Sequence, residues 1–148
     1  MKPTMDHVLI SMATTLGLRI IPTMPETSYA LGDAKMVAGL AVLLAQEVDR
    51  AADVLARENA ALRALFARTA ALPVGALVPT LARAGTSSDA NLRVSVLEQG
   101  NAALKAILID LHIAAEESDA DWADDLDREI WAVLKQGAKD RELVLPSM

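Results

Sequence analysis

The side chains of this sequence that can do chemistry are few and scattered. His112 and Glu116 stand four residues apart, so on a helix they share one face and could offer two ligands to a metal ion. A di-iron carboxylate bundle asks for more: inward glutamates from four helices and two Glu-x-x-His pairs. Three residues before His112 stands Ile109, and three before His7 stands Thr4, so neither histidine completes such a pair. The expectation is a solvated ion pair and no metal site. The acidic run from Glu116 to Glu129 has oxygens suited to hard cations but no EF-hand spacing or central glycine. It reads as helix-start charge on a solvated face. The carboxylate pairs Asp49 with Asp53, and Glu47 with Asp110, would serve acid–base work only if buried. Arg50 and Arg57 stand among the first of them, as on an ordinary exposed helix face.

Nucleophilic and phosphate chemistry find less support. Ser11, Ser28, Ser87, Ser88 and Ser95 lack a Gly-x-Ser-x-Gly elbow, and the 7 glycines form no phosphate-cradling pattern. There is no cysteine, which removes thiolate chemistry and disulfides.

Asn59 and Asn101 are the most informative polar residues. Each interrupts an apolar helical stripe, and a buried amide left unpaired costs roughly 1–3 kcal/mol. One reading makes them a register device between copies or the polar lining of a ligand site. The other rotates each helix slightly, so that the amide reaches water. Both remain open at this point. Asn59, Asn101 and His112 are the candidate ligand-binding residues; no catalytic residue and no cofactor is expected.

The elements that must position them are helices. Alanine and leucine dominate, and both form helix at low entropic cost. A first segment, about residues 4–18, carries Met5, Val8, Leu9, Met12 and Leu16 on one stripe, with Thr4 as N-cap and Gly17 weakening its end. Pro22 and Pro25 predict a stiff extended connector over residues 21–25. The longest segment, about 33–71, starts at Asp33 or earlier, near Thr27. Its stripe reads Val37, Leu40 and Ala41, Leu44, Val48, Ala51, Leu55, Leu62, Phe66 and Thr69. At 1.5 Å per residue it would be roughly 58 Å long, too long for its own domain to cover if straight. Pro73, Gly75, Pro79 and Gly85 then interrupt helix, leaving room for a short turn over residues 80–84. A third segment, about 89–117, follows the N-cap types Thr86-Ser87-Ser88-Asp89. Its seam is Val94, Leu97, Asn101, Leu104, Leu108, Leu111 and Ala115. A second stripe of Val96, Gly100, Ala103, Ile107 and Ala114 suggests burial on more than one side, at the centre of the bundle. A fourth segment, about 119–139, has aspartates in its first turns, lysines in its last, and Trp122, Leu126, Ile130, Val133 and Leu134 on its inner face. The tail, residues 142–148, holds an apolar stretch, Leu143-Val144-Leu145-Pro146.

Net charge is −6, and the 14 basic residues are scattered, so neither nucleic acid nor an anionic membrane is an expected partner. No apolar run approaches the roughly 20 residues that span a bilayer. The stretch Val8–Ala13 is preceded by Asp6 and His7 and lacks a small-residue cleavage site, so it does not read as a signal peptide.

The expected fold is all-α: one helical-bundle domain over residues 1–148, with about four main helices, one of them long. The expected function is a non-catalytic, homo-oligomeric interaction or accessory protein, a cytoplasmic homodimer. The alternative is a small-molecule-binding bundle, or an enzyme whose site forms between helices from Asn59, Asn101, His112 and nearby carboxylates.

Overall fold

A computed structural model describes residues 2–144. The molecule is 80% helical, and the described residues hold no strand. Five α-helices follow in order: α1 (Met5–Thr15), α2 (Tyr29–Thr69), α3 (Val78–Gly85), α4 (Val94–Glu116) and α5 (Asp121–Asp140). The chain divides into two compact units. One comprises residues 2–51 with 143–144, and the other is Ala52–Glu142. Helix α2 contributes its first part to the former and the remainder to the latter.

In the first unit, α1 does not stop at Gly17. It widens into a π-helical turn, Leu16–Ile20, and then tightens into a 3-10 turn, Ile21–Thr23. The extended connector expected from the two prolines is therefore confined to Met24, before Pro25 (φ −87, ψ 139). Ile21, before Pro22, stays helical at φ −52 and ψ −45. Pro22 lies in the first turn of its own short helix, where a missing N–H is tolerated. The α1 stripe exists but does not face a core. Ala13 is the helix's buried residue, while Met5, Val8 and Met12 are exposed. Residues 143 and 144 close the unit. Gln46 on α2 donates Nε2–H to the Val144 carbonyl at 2.7 Å, and its Oε1 accepts the Val144 N–H at 3.1 Å. Leu145 and Pro146 of the apolar tail lie outside the described residues.

The second unit holds the core. Leu62, Leu65 and Phe66 of α2 meet Leu81 of α3, Leu104, Leu108 and Leu111 of α4, and Leu126 and Ile130 of α5. All nine are at most 5% exposed, and burying each fully is worth roughly 1.5–3 kcal/mol. Trp122, Val133 and Leu134 pack against this cluster from the partly buried side of α5, as their spacing predicts. Its acidic first turn and Lys139 in its last turn complement the helix dipole. Gly75 takes φ +60 in the turn after Pro73, a conformation that favours glycine.

Helix α4 differs from expectation in two respects. It begins at Val94 rather than near Asp89, because the Asp89 carboxylate is engaged elsewhere, as described below. Its seam from Leu97 to Ala115 is buried, but the second stripe is not a second core face. Val96, Gly100 and Ile107 are half-buried, Ala103 is exposed, and these four line an open cleft. Ile109 and Ile113 face outward at 61% and 45% exposure, so α4 is not enclosed on all sides.

Candidate functional site

A connected set of buried polar side chains lies in the second unit, and both seam asparagines belong to it. Asn59 is 0% exposed and Asn101 is 6% exposed, so neither rotates out to water. Asn59 uses both amide hydrogens, donating at 3.1 Å to the Leu97 carbonyl and at 3.1 Å to Asp89 Oδ1. Its own Oδ1 accepts a hydrogen bond from Asn101 Nδ2 at 2.9 Å. The same Asn101 nitrogen donates to Glu58 Oε2 at 2.9 Å. Among the described residues no buried side-chain N or O atom lacks a partner. Asn59 thus finds partners for both amide hydrogens and for its oxygen inside its own chain.

Sequence reasoning missed Glu58. It stands three residues after Leu55 and four before Leu62, so the seam spacing that marks Asn59 also marks its neighbour. A buried carboxylate requires compensation. Lys105 Nζ lies 3.0 Å from Oε1, and Arg141 reaches Oε2 beside the Asn101 amide.

Asp89 links the amides to a cation. Arg63 grips it with two N–H groups at 2.9 and 2.6 Å, and Arg63 Nε donates to Ser87 Oγ at 3.1 Å. Both members of this pair are mostly buried, and the fork is bidentate, the strong form of the interaction. The Arg63 guanidinium, above all, holds the Asp89 carboxyl below the usual carboxylate range. Desolvation opposes that shift, and the Asn59 amide adds a smaller lowering. The Thr86–Asp89 segment, which reads as a helix cap, is instead fastened to α2 through Arg63.

His112 lies elsewhere, about three turns along α4 from Asn101. Its Nε2 is 2.8 Å from Asp127 Oδ1 on α5 and 3.6 Å from Glu116, and its ring meets Trp131 edge-on at 5.8 Å. The closer partner is therefore the interhelical one, which spacing along one helix cannot reveal. Asp49, Asp53, Glu47 and Asp110 are all exposed, and Asp53 pairs with Arg57 at 3.0 Å. Among the described residues no three His, Asp or Glu side chains converge as metal ligands.

Comparison with protein-family models, with curated proteins and with solved structures finds no match to this chain.

The site residues must therefore speak for themselves. In the second unit they build a self-satisfied network that braces α2, α4 and the 86–93 segment. The first unit offers a different feature. The apolar stripe of α2 continues through Val37, Leu40, Leu44 and Val48, yet these side chains are 46%, 50%, 52% and 50% exposed. From Ala51 onward the same stripe is buried. Small residues Ala41 and Ala45, by contrast, are buried at 6% and 4%. The helix thus turns Ala41 and Ala45 inward and Val37, Leu40, Leu44 and Val48 outward. No helix among the described residues is long and apolar enough to cross a membrane, so that stripe belongs to no bilayer span.

Proposed function

We propose that this chain is a non-catalytic interaction protein that associates with a second copy of itself through the N-terminal part of α2. One observation carries the reading: the outward stripe of Val37, Leu40, Leu44 and Val48, each close to half exposed. A contiguous row of large aliphatics left in water costs free energy that association recovers, and soluble monomers rarely keep such rows open.

A second copy fits the stripe for two reasons. Leu40, Leu44 and Val48 stand four residues apart, a ridge that packs against the same ridge in a two-fold arrangement. The stretch Met36–Gln46, which holds three of the four stripe residues, also carries no charged residue; Glu47 and Asp49 flank only Val48, at one end of the row. Two copies of a chain with net charge −6 repel one another, and an uncharged contact lets them approach without like-charge burial. Val8–Leu18 is likewise uncharged and presents exposed Met12, giving the first unit a second neutral surface. The same acidic balance supports a partner that is neither nucleic acid nor an anionic membrane. A cytoplasmic setting agrees with the absence of cysteine.

Light scattering coupled to size exclusion tests the proposal. The expected mass is about twice the 15.7 kDa of one chain at tens of micromolar protein. Leu40→Glu and Leu44→Glu together should return it to one chain's mass with helix content unchanged. A wild-type mass of 15.7 kDa under those conditions would overturn the reading.

A further inference from the structure

The second unit contains a cleft of about 420 Å³ between α3, the 86–90 segment and α4, within the size range of small-ligand sites. Its two walls differ in kind. One is polar: Arg83 of α3 lines it together with Arg63, Ser87 and Ser88. The other is the second stripe of α4, where Val96, Ala103 and Ile107 present an apolar surface.

The charges on the polar wall do not cancel. Asp89 holds Arg63 in a bidentate pair, so one arginine is matched. Arg83 makes no ion pair with any described residue, is exposed, and lines the cleft. The lining residues thus leave one positive charge in a chain whose net charge is −6. The rim is also preorganised. Asp89 is tied to Arg63 and Asn59, and Ser87 Oγ donates to the Ala84 carbonyl at 2.7 Å while accepting from Arg63. That part of the rim is already ordered and loses little entropy on binding, so the ordering cost falls on the Arg83 side chain.

We propose that this cleft binds a small amphipathic carboxylate. The carboxylate takes the fork of Arg83, with the Ser88 hydroxyl beside it, and the hydrocarbon body lies along Val96, Ala103 and Ile107. A single unmatched guanidinium balances a carboxylate's one charge, whereas a phosphate monoester near −2 would remain in excess. Self-association through α2 is not required, because every residue named here lies in the second unit.

Octanoate is the probe, with 1-octanol as its uncharged twin, added to the full chain and followed by amide chemical shifts. Octanoate is expected to move resonances of residues 83–90 and 96–107. Arg83→Gln should weaken octanoate at least about tenfold and leave octanol unchanged, a tenfold loss being the scale of one good charged contact. Ala103→Glu places a like charge on the apolar wall at an exposed position and should abolish octanoate binding without loss of helix content. Equal octanoate affinity for the wild type and Arg83→Gln would overturn the proposal. So would shifts centred on the first unit, or no shift at about 5 mM octanoate.

Discussion

The Asn59 amide donates twice and accepts once; two of its partners, Leu97 and Asn101, lie one turn apart on α4 and the third, Asp89, lies in the segment before it. Replacing it with leucine preserves much of the volume but takes one partner each from Leu97, Asp89 and Asn101. Asn59→Leu should therefore lower unfolding free energy by about 2–3 kcal/mol, the cost of stranding buried polar groups. Urea denaturation monitored by circular dichroism checks this. A stabilised variant would return Asn59 to the role of a register device between copies. Asp89 adds a pH signature. Its carboxyl is held below its ordinary range by Arg63, so the folded state binds that proton less readily than the unfolded state. The resulting stability is complete above the ordinary carboxylate value, near 4, and is lost as pH falls through the lower folded value. Asp89→Asn should be less stable than wild type by about 2 kcal/mol at pH 7. The two should converge as pH drops from about 5 towards 2. A constant gap across that range would show that Asp89 contributes nothing through its charge. Asn59 and Asn101 were visible in the sequence because they interrupt an apolar period. Their burial was not, since it depends on a carbonyl 38 residues away and an aspartate 30 residues away.

Among the helices, close approach sets the sharpest constraint at Gly85, the last residue of α3. A Cβ built there would sit 2.7 Å from the Ala67 backbone nitrogen and 2.9 Å from its Cα, on α2. Backbone cannot swing aside as a side-chain tip can. Gly85→Ala should therefore cost about 1–3 kcal/mol, read as a fall in melting temperature. Gly32→Ala offers the contrast. It lies within α2 with nothing inside 4 Å of the added methyl, so it should stabilise by about 0.5–1 kcal/mol. If both substitutions had the same sign, the approach of α3 to α2 would be wrong. At this scale the sequence was most legible where periodicity ran long. The α4 seam and the α5 inner face follow from spacing alone. Element starts were less legible. Asp89 has the chemistry of a helix cap, but Arg63 claims it, and helix begins only at Val94 after the extended Arg93. The stripe of α2 was equally clear as a pattern. Spacing identifies an apolar row without saying what covers it, so the contrast between its exposed residues 37–48 and its buried continuation had to come from the structure.

The whole molecule is helical to the extent that its alanine and leucine content implies. Far-UV circular dichroism should report close to 80% helix and no strand signal; substantial strand would contradict the fold. The two units differ in how they are strung along the chain. The second is one continuous run, Ala52–Glu142, with its own core. The first is interrupted: residues 2–51 are completed by 143 and 144, which Gln46 holds by both ends of its amide. That clamp has a consequence for biosynthesis. When residue 51 leaves the ribosome, its unit still lacks the strand of backbone that Gln46 will grip. At roughly 5–20 residues per second, the ninety or so intervening residues take several seconds to make. Throughout that interval the aliphatic row of α2 is already in the open while its own unit is unfinished. On the self-association proposed above, nascent chains crowded along one message would meet through that row before any of them had closed its clamp.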